Sequence, residues 1–539
     1  MLQVSSSPFA PVDIPDVDLW TFLFERPDRP FPVHHPLLTD AITGRSLSFQ
    51  QVRRRALHFG HGLQTHWDWQ PGDVLVVFAP NSIDLPPLIW GTLAVGGVVC
   101  PVNSSYRADE LLHPLQDARA QAIVTTKAQA SIVYNAVDRA GLSRDRVILL
   151  DETSPSPAWI GTQGEAVPDA PHDPLIRRPA QDLAFLVYSS GTTGLPKGVM
   201  LSHRNLVANL LQNEAVDQGH LTWQNDRAIA VLPFFHIYGI TYLLNYTIYT
   251  GMTIHVMPRF QLAAFCNTVQ RARITYAYVV PPVILELVSN PGVAQYDLSS
   301  LRMALSAAAP LAVELIHAAR DKLRLPVRQA YGMSECSPCT HIQTFPEATT
   351  HPGSVGRLMP NLTAQYSPVE GETGRAAELW VRGPNVFPGY LNNATATTDS
   401  FSDDGYYKTG DVGYEDPHGH FYITDRVKEL IKYNGFQVAP AELEAVALAH
   451  PRVRDVAVTG VPSGMAGSEL PRAWVVVGAP AEGDVGGGRL EEDIVRFVGE
   501  RVIGYKKLRG GVRFVDSIPR NPSGKILRRE LKRLDRGRL

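Results

Sequence analysis

Tyr188-Ser-Ser-Gly-Thr-Thr-Gly-Leu-Pro-Lys-Gly198 is the stretch whose reading decides the fold. It follows Leu-Ala-Phe-Leu-Val-Tyr at 183–188, a continuous apolar run that reads as a buried strand. Beyond it, Leu206, Leu210 and Leu211 share one face of a helix expected from about Ser202. Gly191, Gly194 and Gly198 let the backbone turn and present its N–H groups. Ser189, Ser190, Thr192, Thr193 and Lys197 add further donors, the composition of a polyphosphate cradle. It is not a Walker A loop, because Pro196 and Gly198 replace the second Gly and the Ser/Thr of that motif. A linker would not sit between a buried strand and a helix.

Outward from this loop, strand-like and helix-like segments alternate. Strands are expected at 74–78, 122–125 and 147–150, a helix at 86–95, and a Pro/Ser/Gly-rich surface loop at 154–179. The alternation continues past residue 300 and implies parallel sheets covered by helices. From about Gly353 the pattern changes to short strands and Gly turns, such as Glu378-Leu-Trp-Val-Arg382, a small β-rich subdomain. After Asp425 the chain restarts as a compact unit. Helices are expected at 440–450, where Pro440 suits a first turn, and at 491–502; strands at 453–461 and 472–477; and a Gly-rich loop at 481–488. The expected fold is α/β, with an N-terminal body over residues 1–424 and a mobile α+β C-terminal cap over 425–539.

Composition excludes several classes. In 539 residues, 44% hydrophobic and 19% charged is ordinary globular usage. A net charge of −3 gives no case for nucleic acid as the main partner. The C-terminal stretch 501–539 is the exception, with thirteen Lys/Arg against three Asp/Glu. Cys100, Cys266, Cys336 and Cys339 are too few for a disulfide scaffold. Cys336-Ser-Pro-Cys339 lacks the second pair of a four-ligand zinc site, and two ordinary residues are expected. Residues 228–258 carry no charged residue, but Pro233, His236, Asn245 and His255 suit a buried core better than lipid. No signal peptide is evident, and a cytoplasmic protein with no membrane span is expected. The terminal Gly537-Arg-Leu539 is a weak likeness to a peroxisomal address.

Five further motifs stand in order with the loop. They are Pro233-Phe-Phe-His-Ile-Tyr238, Tyr331-Gly-Met-Ser-Glu335, Tyr407-Lys-Thr-Gly-Asp411, the run from Asp425-Arg-Val-Lys-Glu to Ala441-Glu-Leu-Glu444, and Pro522-Ser-Gly-Lys-Ile-Leu527. With SSGTTGLPKGV, this set resembles the adenylate-forming enzymes, over about residues 35–535. The likeness is greatest to the acyl-CoA synthetase, 4-coumarate–CoA ligase and luciferase branch. It implies two steps: a carboxylate attacks the α-phosphate of MgATP to give acyl-AMP and pyrophosphate, then a thiol takes the acyl group and AMP leaves. ATP, Mg2+ and coenzyme A are the implied cofactors.

The resemblance assigns roles residue by residue. Ser189, Ser190, Gly191, Thr192, Thr193, Gly194 and Lys197 hold the β- and γ-phosphates. Glu335 is the magnesium ligand, and Ser334 keeps the hydroxyl of the family's usual Thr. Gln329, Ala330, Tyr331 and Gly332 line the adenine slot and its edge. Asp411 accepts from the ribose hydroxyls, and Arg426 assists at ribose and phosphate. Lys525 is the adenylation lysine, which accounts for the basic tail, and His236 sits at the acyl carboxylate. Lys428 is the hinge about which the cap turns to deliver Lys432 and Gln437 for the thiol step, with Gly435 and Phe436 beside the pantetheine tunnel. Asn434 departs from the Lys common in plant ligases, which removes one contact with CoA phosphate.

The implied acyl pocket comprises Ile237, Tyr238, Thr241, Tyr278, Leu305, Ala307, Ala308, Pro338 and Cys339, with Ala330 and Gly332. Hydroxycinnamate ligases generally carry Lys at the Leu305 position and Gly at those of Ala307 and Ala330. An apolar aryl or medium-chain acid is therefore expected rather than 4-coumarate. The leading reading is an acid–thiol ligase acting on a small carboxylic acid and CoA. Rival readings are an acyl-AMP ligase that loads a carrier protein, a luciferase-like oxidative use of the adenylate, and a non-catalytic nucleotide-binding protein.

Overall fold

The computed structural model describes residues 3–151, 175–189, 196–369, 375–426, 429–433, 436–463, 468–478, 490–522 and 524–536, without the side chains of 3, 436, 437, 535 and 536. Ser190, Gly191, Thr192, Thr193, Gly194, Lys428, Asn434, Gly435, Ser523, the Gly-rich 481–488 stretch and the terminal Gly-Arg-Leu lie outside the described residues, as do the side chains of Phe436 and Gln437.

Two large mixed sheets build the body. Among the described residues, the first has seven strands, ordered Gly389–Tyr390, Lys197–Ser202, Leu183–Ser189, Val98–Pro101, Val74–Phe78, Ala122–Thr125 and Val147–Leu149. The last five are mutually parallel. The second has nine strands among the described residues, running from Arg357–Leu358 at one edge to Ser46–Ser48 at the other. Its central strands, from Pro36–Asp40 through Thr253–Val256, Arg227–Ala230, Tyr276–Val279 and Met303–Ser306 to Val327–Gly332, are parallel. Strands covered on both faces read as unbroken apolar runs, and every residue of Val74–Phe78 and Met303–Ser306 is buried. The covering helices are amphipathic. Phe49–Trp67 starts at a Ser48/Gln51 capping box and buries Val52, Ala56, Phe59 and Leu63.

The phosphate-type loop departs from the expected strand–loop–helix unit. Lys197–Ser202 is itself a strand, antiparallel to Leu183–Ser189, so the loop joins the arms of a β-hairpin. The reason is alternation: Val199 and Leu201 face one core and Met200 packs on the other, a period of two. The helix starts afterwards, at His203, where the Ser202 hydroxyl accepts from the Asn205 N–H. The loop is thus separated from the helix N-terminus by six strand residues.

The third large sheet is antiparallel and, among the described residues, has the order Gln3–Ser6, Thr363–Pro368, Ala377–Arg382, Tyr407–Glu415, Phe421–Arg426. This is the β-rich subdomain expected after Gly353, closed at one edge by the chain's own N-terminal strand. The expected division at 424/425 falls inside its last strand, where Asp425 and Arg426 pair with Val412 and Asp411. The cap that follows has its own core of Ile431, Val438, Leu443, Val456, Val475, Ile494 and Val498. Its helices Pro440–Leu448 and Leu490–Gly499 pack on strands Val453–Pro462, Glu469–Val477 and Val512–Phe514. Residues 228–258 form two buried strands joined by a π-helical segment, Gly239–Tyr246, and a short helix. Among the described residues no helix is long and apolar enough to cross a membrane.

Candidate active site

Both feet of the Gly/Ser/Thr loop are tied to the helix Ala108–Asp117. The Tyr188 hydroxyl donates to Asp117 Oδ2 at 2.7 Å, and His113 Nε2 is 2.8 Å from the Pro196 carbonyl oxygen. Ser189 faces Lys197 across the hairpin, so the two expected phosphate contacts within the described residues stand side by side. The Lys197 ammonium lies 4.8 Å from the centre of the Tyr390 ring, a cation–π contact.

Asp411 is the centre of the second group. It is buried, and both oxygens are engaged: Tyr331 donates its hydroxyl to Oδ2 at 2.7 Å, and Arg426 Nε pairs with Oδ1 at 2.7 Å. Their placement follows from the sheets. Asp411 and Arg426 are cross-strand partners, and Tyr331 reaches them from the end of the nine-stranded sheet. The Asp411 charge raises the guanidinium pKa of Arg426. Gln329, the next inward-facing residue on the Tyr331 strand, turns its amide to the Ser354 carbonyl at 3.0 Å.

Lys525 is carried to this group by a tight turn. Gly524 N–H donates to the Asn521 carbonyl, and Lys525 N–H to Asn521 Oδ1, both at 2.8 Å. Gly524 has φ +84°, and a Cβ there would lie 3.2 Å from Val280, so only glycine seats the turn against the body. Burial lowers the Lys525 pKa, as does Arg426, while Glu429 and Asp411 oppose the shift. Lys525 in turn acts on His236. Burial, then the Lys525 charge, push the imidazole down to about 4, so the ring is neutral at physiological pH. The Tyr238 N–H lies 3.3 Å from His236 Nδ1, which makes Nδ1 the acceptor and places the proton on Nε2.

Glu335 occupies the one-turn segment Ser334–Cys336 after the Tyr331 strand. Its carboxylate is buried, and burial raises its pKa against the hydrogen bonds it receives. Tyr390 donates to Oε1 at 2.9 Å, and among the described residues no ion pair is formed with Glu335. A buried carboxylate without a countercharge suits a cation, and one carboxylate together with phosphate oxygens and water suits Mg2+. Cys336 and Cys339 are buried free thiols; burial pushes Cys339 up to about 12 and Cys336 also upward, disfavouring the reactive thiolate. Among the described residues no group of three His, Cys, Asp or Glu is placed to hold a metal.

The expected pocket residues gather between the π-helical segment, the strand ends and the Ser337-Pro338 turn. Ile237, Tyr238, Thr241, Tyr278, Leu305, Ala330 and Cys339 are buried, and Ala307 and Ala308 partly so. Tyr238 donates its hydroxyl to the Leu305 carbonyl, and Thr241 to the Ser337 carbonyl, both at 2.8 Å. Ala308 and Ser337 hold φ of +73° and +70°, backbone strain gathered at this wall. A Cβ on Gly332 would lie 1.9 Å from the Pro338 oxygen. Behind the pocket, Arg328 is fully buried. It is saturated by the Gln343 carbonyl, the Tyr276 hydroxyl at 3.2 Å and Asp217 at 2.8 Å.

Tertiary structure thus brings together Lys197, Glu335, Tyr331, Asp411, Arg426, Lys525 and His236. It does not bring Lys432 to them: that side chain is exposed on the cap hairpin Ile431–Tyr433/Phe436–Val438. Sequence reasoning missed Tyr390, Glu429 and the His113–Asp117 anchor. A Gly-Tyr-Leu stretch and a helix with one His carry no signal of their own.

Comparison with known proteins bears on the family and the fold. The family model described as AMP-binding enzyme matches residues 24–391, and that of the AMP-binding enzyme C-terminal domain matches 442–525. The chain is 37% identical to the probable 4-coumarate–CoA ligase 1 of Dictyostelium discoideum, covering 92% of each chain. It is 35% identical to the 4-coumarate–CoA ligase of Pinus taeda, covering 96% of each. Among solved structures, ATP-bound MatB from Rhodopseudomonas palustris superposes with a TM-score of 0.84 at 28% identity, covering 96% of this chain and 99% of that one.

Proposed function

The chain belongs to the AMP-binding enzyme family, as an adenylate-forming acyl-CoA ligase of the 4-coumarate–CoA ligase-like kind, and from that premise we propose that it activates an apolar aryl or medium-chain carboxylic acid as acyl-AMP and transfers the acyl group to CoA. The observation that carries the reading is Lys525, half-buried on a turn seated against Val280 and electrostatically coupled to His236, Asp411 and Arg426. That is where a cation must stand to meet charge building between a carboxylate and an α-phosphate.

In this reading the substrate carboxylate oxygen attacks the α-phosphorus, and the bond to the pyrophosphate oxygen breaks. Lys525 bridges carboxylate and α-phosphate oxygens. Neutral His236 offers its Nε2 proton to the acyl oxygen. Asp411 accepts from the ribose, with Tyr331 and Arg426 fixing its orientation. Lys197 and the loop hold the β- and γ-phosphates, and a structural neighbour, MatB, is itself ATP-bound. Glu335 would hold Mg2+, which when bound would neutralise phosphate charge. The thiol step then requires the cap, residues 425–539, to turn against the body, residues 1–424, about Lys428. That rotation brings up Lys432 and Gln437, with Gly435 and Phe436 at the pantetheine. The exposed position of Lys432 here supports an arrangement suited to the first step.

Two features support the apolar acid. Leu305 supplies no cation, and the Arg328 guanidinium is already engaged by Gln343, Tyr276 and Asp217, so a second anionic charge on the substrate finds no free cation at either residue. The names of the relatives favour 4-coumarate instead.

Product analysis decides. The enzyme is incubated with ATP, Mg2+ and a panel of acids, with and without CoA, and acyl-AMP is separated from acyl-CoA by mass. Acyl-CoA from cinnamate, benzoate or octanoate in preference to 4-coumarate is expected. A best kcat/KM for 4-coumarate overturns the pocket reading, and acyl-AMP that persists despite CoA overturns the acceptor in favour of a carrier protein. Lys525→Ala is expected to cut pyrophosphate release by roughly 100- to 1000-fold, the usual loss for one transition-state donor, while ATP still binds.

A further inference from the structure

Tyr390 touches both the loop lysine and the buried carboxylate. Its ring lies under the Lys197 ammonium at 4.8 Å, and its hydroxyl donates to Glu335 Oε1 at 2.9 Å. Its own position is fixed from several sides. Tyr390 pairs with Val199 of the Lys197–Ser202 strand, and its N–H donates to Thr397 Oγ1 at 2.9 Å. Three residues earlier, the Phe387 N–H donates to the Glu335 carbonyl at 2.8 Å, and the Phe387 and Tyr390 rings meet edge-on at 4.9 Å. The segment 387–390 therefore grips Glu335 by both backbone and side chain while forming the edge of the sheet that carries Lys197. A phenylalanine would pack the same space. It would lack the hydrogen bond to the Glu335 carboxylate.

We propose that Tyr390 is a positioning residue that fixes the separation of Lys197 and Glu335, so that one rigid aromatic sets the distance between the cation that meets the terminal phosphates and the carboxylate that meets their divalent metal. This rests on the assignment of Lys197 and Glu335 made above. The ring holds the ammonium on one face, and the hydroxyl engages Oε1 of Glu335. Acid binding depends on other residues and is unaffected.

The test separates Tyr390 from its premise. MgATP affinity is measured by calorimetry on the full-length protein without acid, for wild type, Tyr390→Phe, Glu335→Gln and the double variant. Loss of a hydrogen bond to a charged group is typically worth about a factor of ten or more, so Tyr390→Phe is expected to weaken MgATP about 10-fold. The KM for the acid stays within about 2-fold, and the Mg2+ concentration for half-maximal pyrophosphate release rises in parallel. The double variant is expected to be no weaker than Glu335→Gln alone, because the hydroxyl acts through that carboxylate. Tyr390→Leu, which also removes the ring, is expected to be weaker than Tyr390→Phe. If Glu335→Gln weakens MgATP and Tyr390→Phe does not, or if Tyr390→Phe raises both KM values alike, the positioning role is refuted. If Glu335→Gln leaves MgATP affinity unchanged, the assignment of Glu335 falls and the proposal with it.

Discussion

Asp425, at the junction of the antiparallel sheet and the cap, is held in a state that pH should expose. It is buried, and burial pushes its carboxyl from an ordinary 3.8 up to about 7, despite N–H donors from Arg426 at 2.7 Å and Ala441 at 3.2 Å and the nearby Arg528 charge. A folded pKa above the unfolded one stabilises the protein fully below pH 3.8, and that contribution is lost as pH rises through about 7. At about 1.4 kcal/mol per pK unit, the ionised side chain costs on the order of 4 kcal/mol at pH 8.5, and about 2 kcal/mol less at pH 5.5. Asn removes the charge but leaves one N–H facing an amide NH2, a loss of about 1–2 kcal/mol. Asp425→Asn is therefore expected to be more stable than wild type by about 2 kcal/mol at pH 8.5, and that advantage vanishes towards pH 5.5. At about 4 °C per kcal/mol for a domain of the cap's size, this is a difference of roughly 8 °C in Tm that closes on acidification. Scanning calorimetry of both proteins at pH 5.5, 7.0 and 8.5 measures it, and taking the difference cancels every other titrating group. A difference that stays flat with pH, or grows on acidification, refutes the reasoning.

Two further outcomes follow from the site. With His236 pushed down to about 4, kcat/KM for the acid is expected to show no imidazole titration between about pH 5.5 and 8; an ionisation near 6.5 that disappears in His236→Gln would contradict the neutral-donor role. Ala307→Gly removes one methyl from the pocket wall, and a methyl in an apolar pocket is worth about 1–3 kcal/mol. The ratio of kcat/KM for a bulky to a small aryl acid is expected to rise about 5-fold or more, and an unchanged ratio places Ala307 away from the substrate.

Much of the chemistry was legible in the chain because it resides in contiguous motifs. Lys525 and Asp411 were each singled out by the short run around them. The loop motif pointed to a phosphate cradle, but the segment that follows it was misplaced in the fold. Lys-Gly-Val-Met-Leu-Ser has the period of a strand, yet its opening Lys-Gly was taken as loop, so a hairpin was read as a loop feeding a helix. The expected helices and strands of the cap agree with the structure within a few residues, since each is bounded by Pro or Gly.

The sequence by itself determined the family, the alternation of strands and helices, and which side chains are candidates for the chemistry, because local pattern and motif spacing follow the chain. Only the tertiary structure decided the distances and the electrostatics. Asp411 meets Tyr331, 80 residues away in sequence, and Glu335 meets Tyr390, 55 residues away. His236 stays neutral because the fold buries it and sets a lysine from the far end of the chain beside it. Burial and approach between distant segments fix hydrogen-bond geometry and proton affinity. Neither is written in the spacing of any one motif.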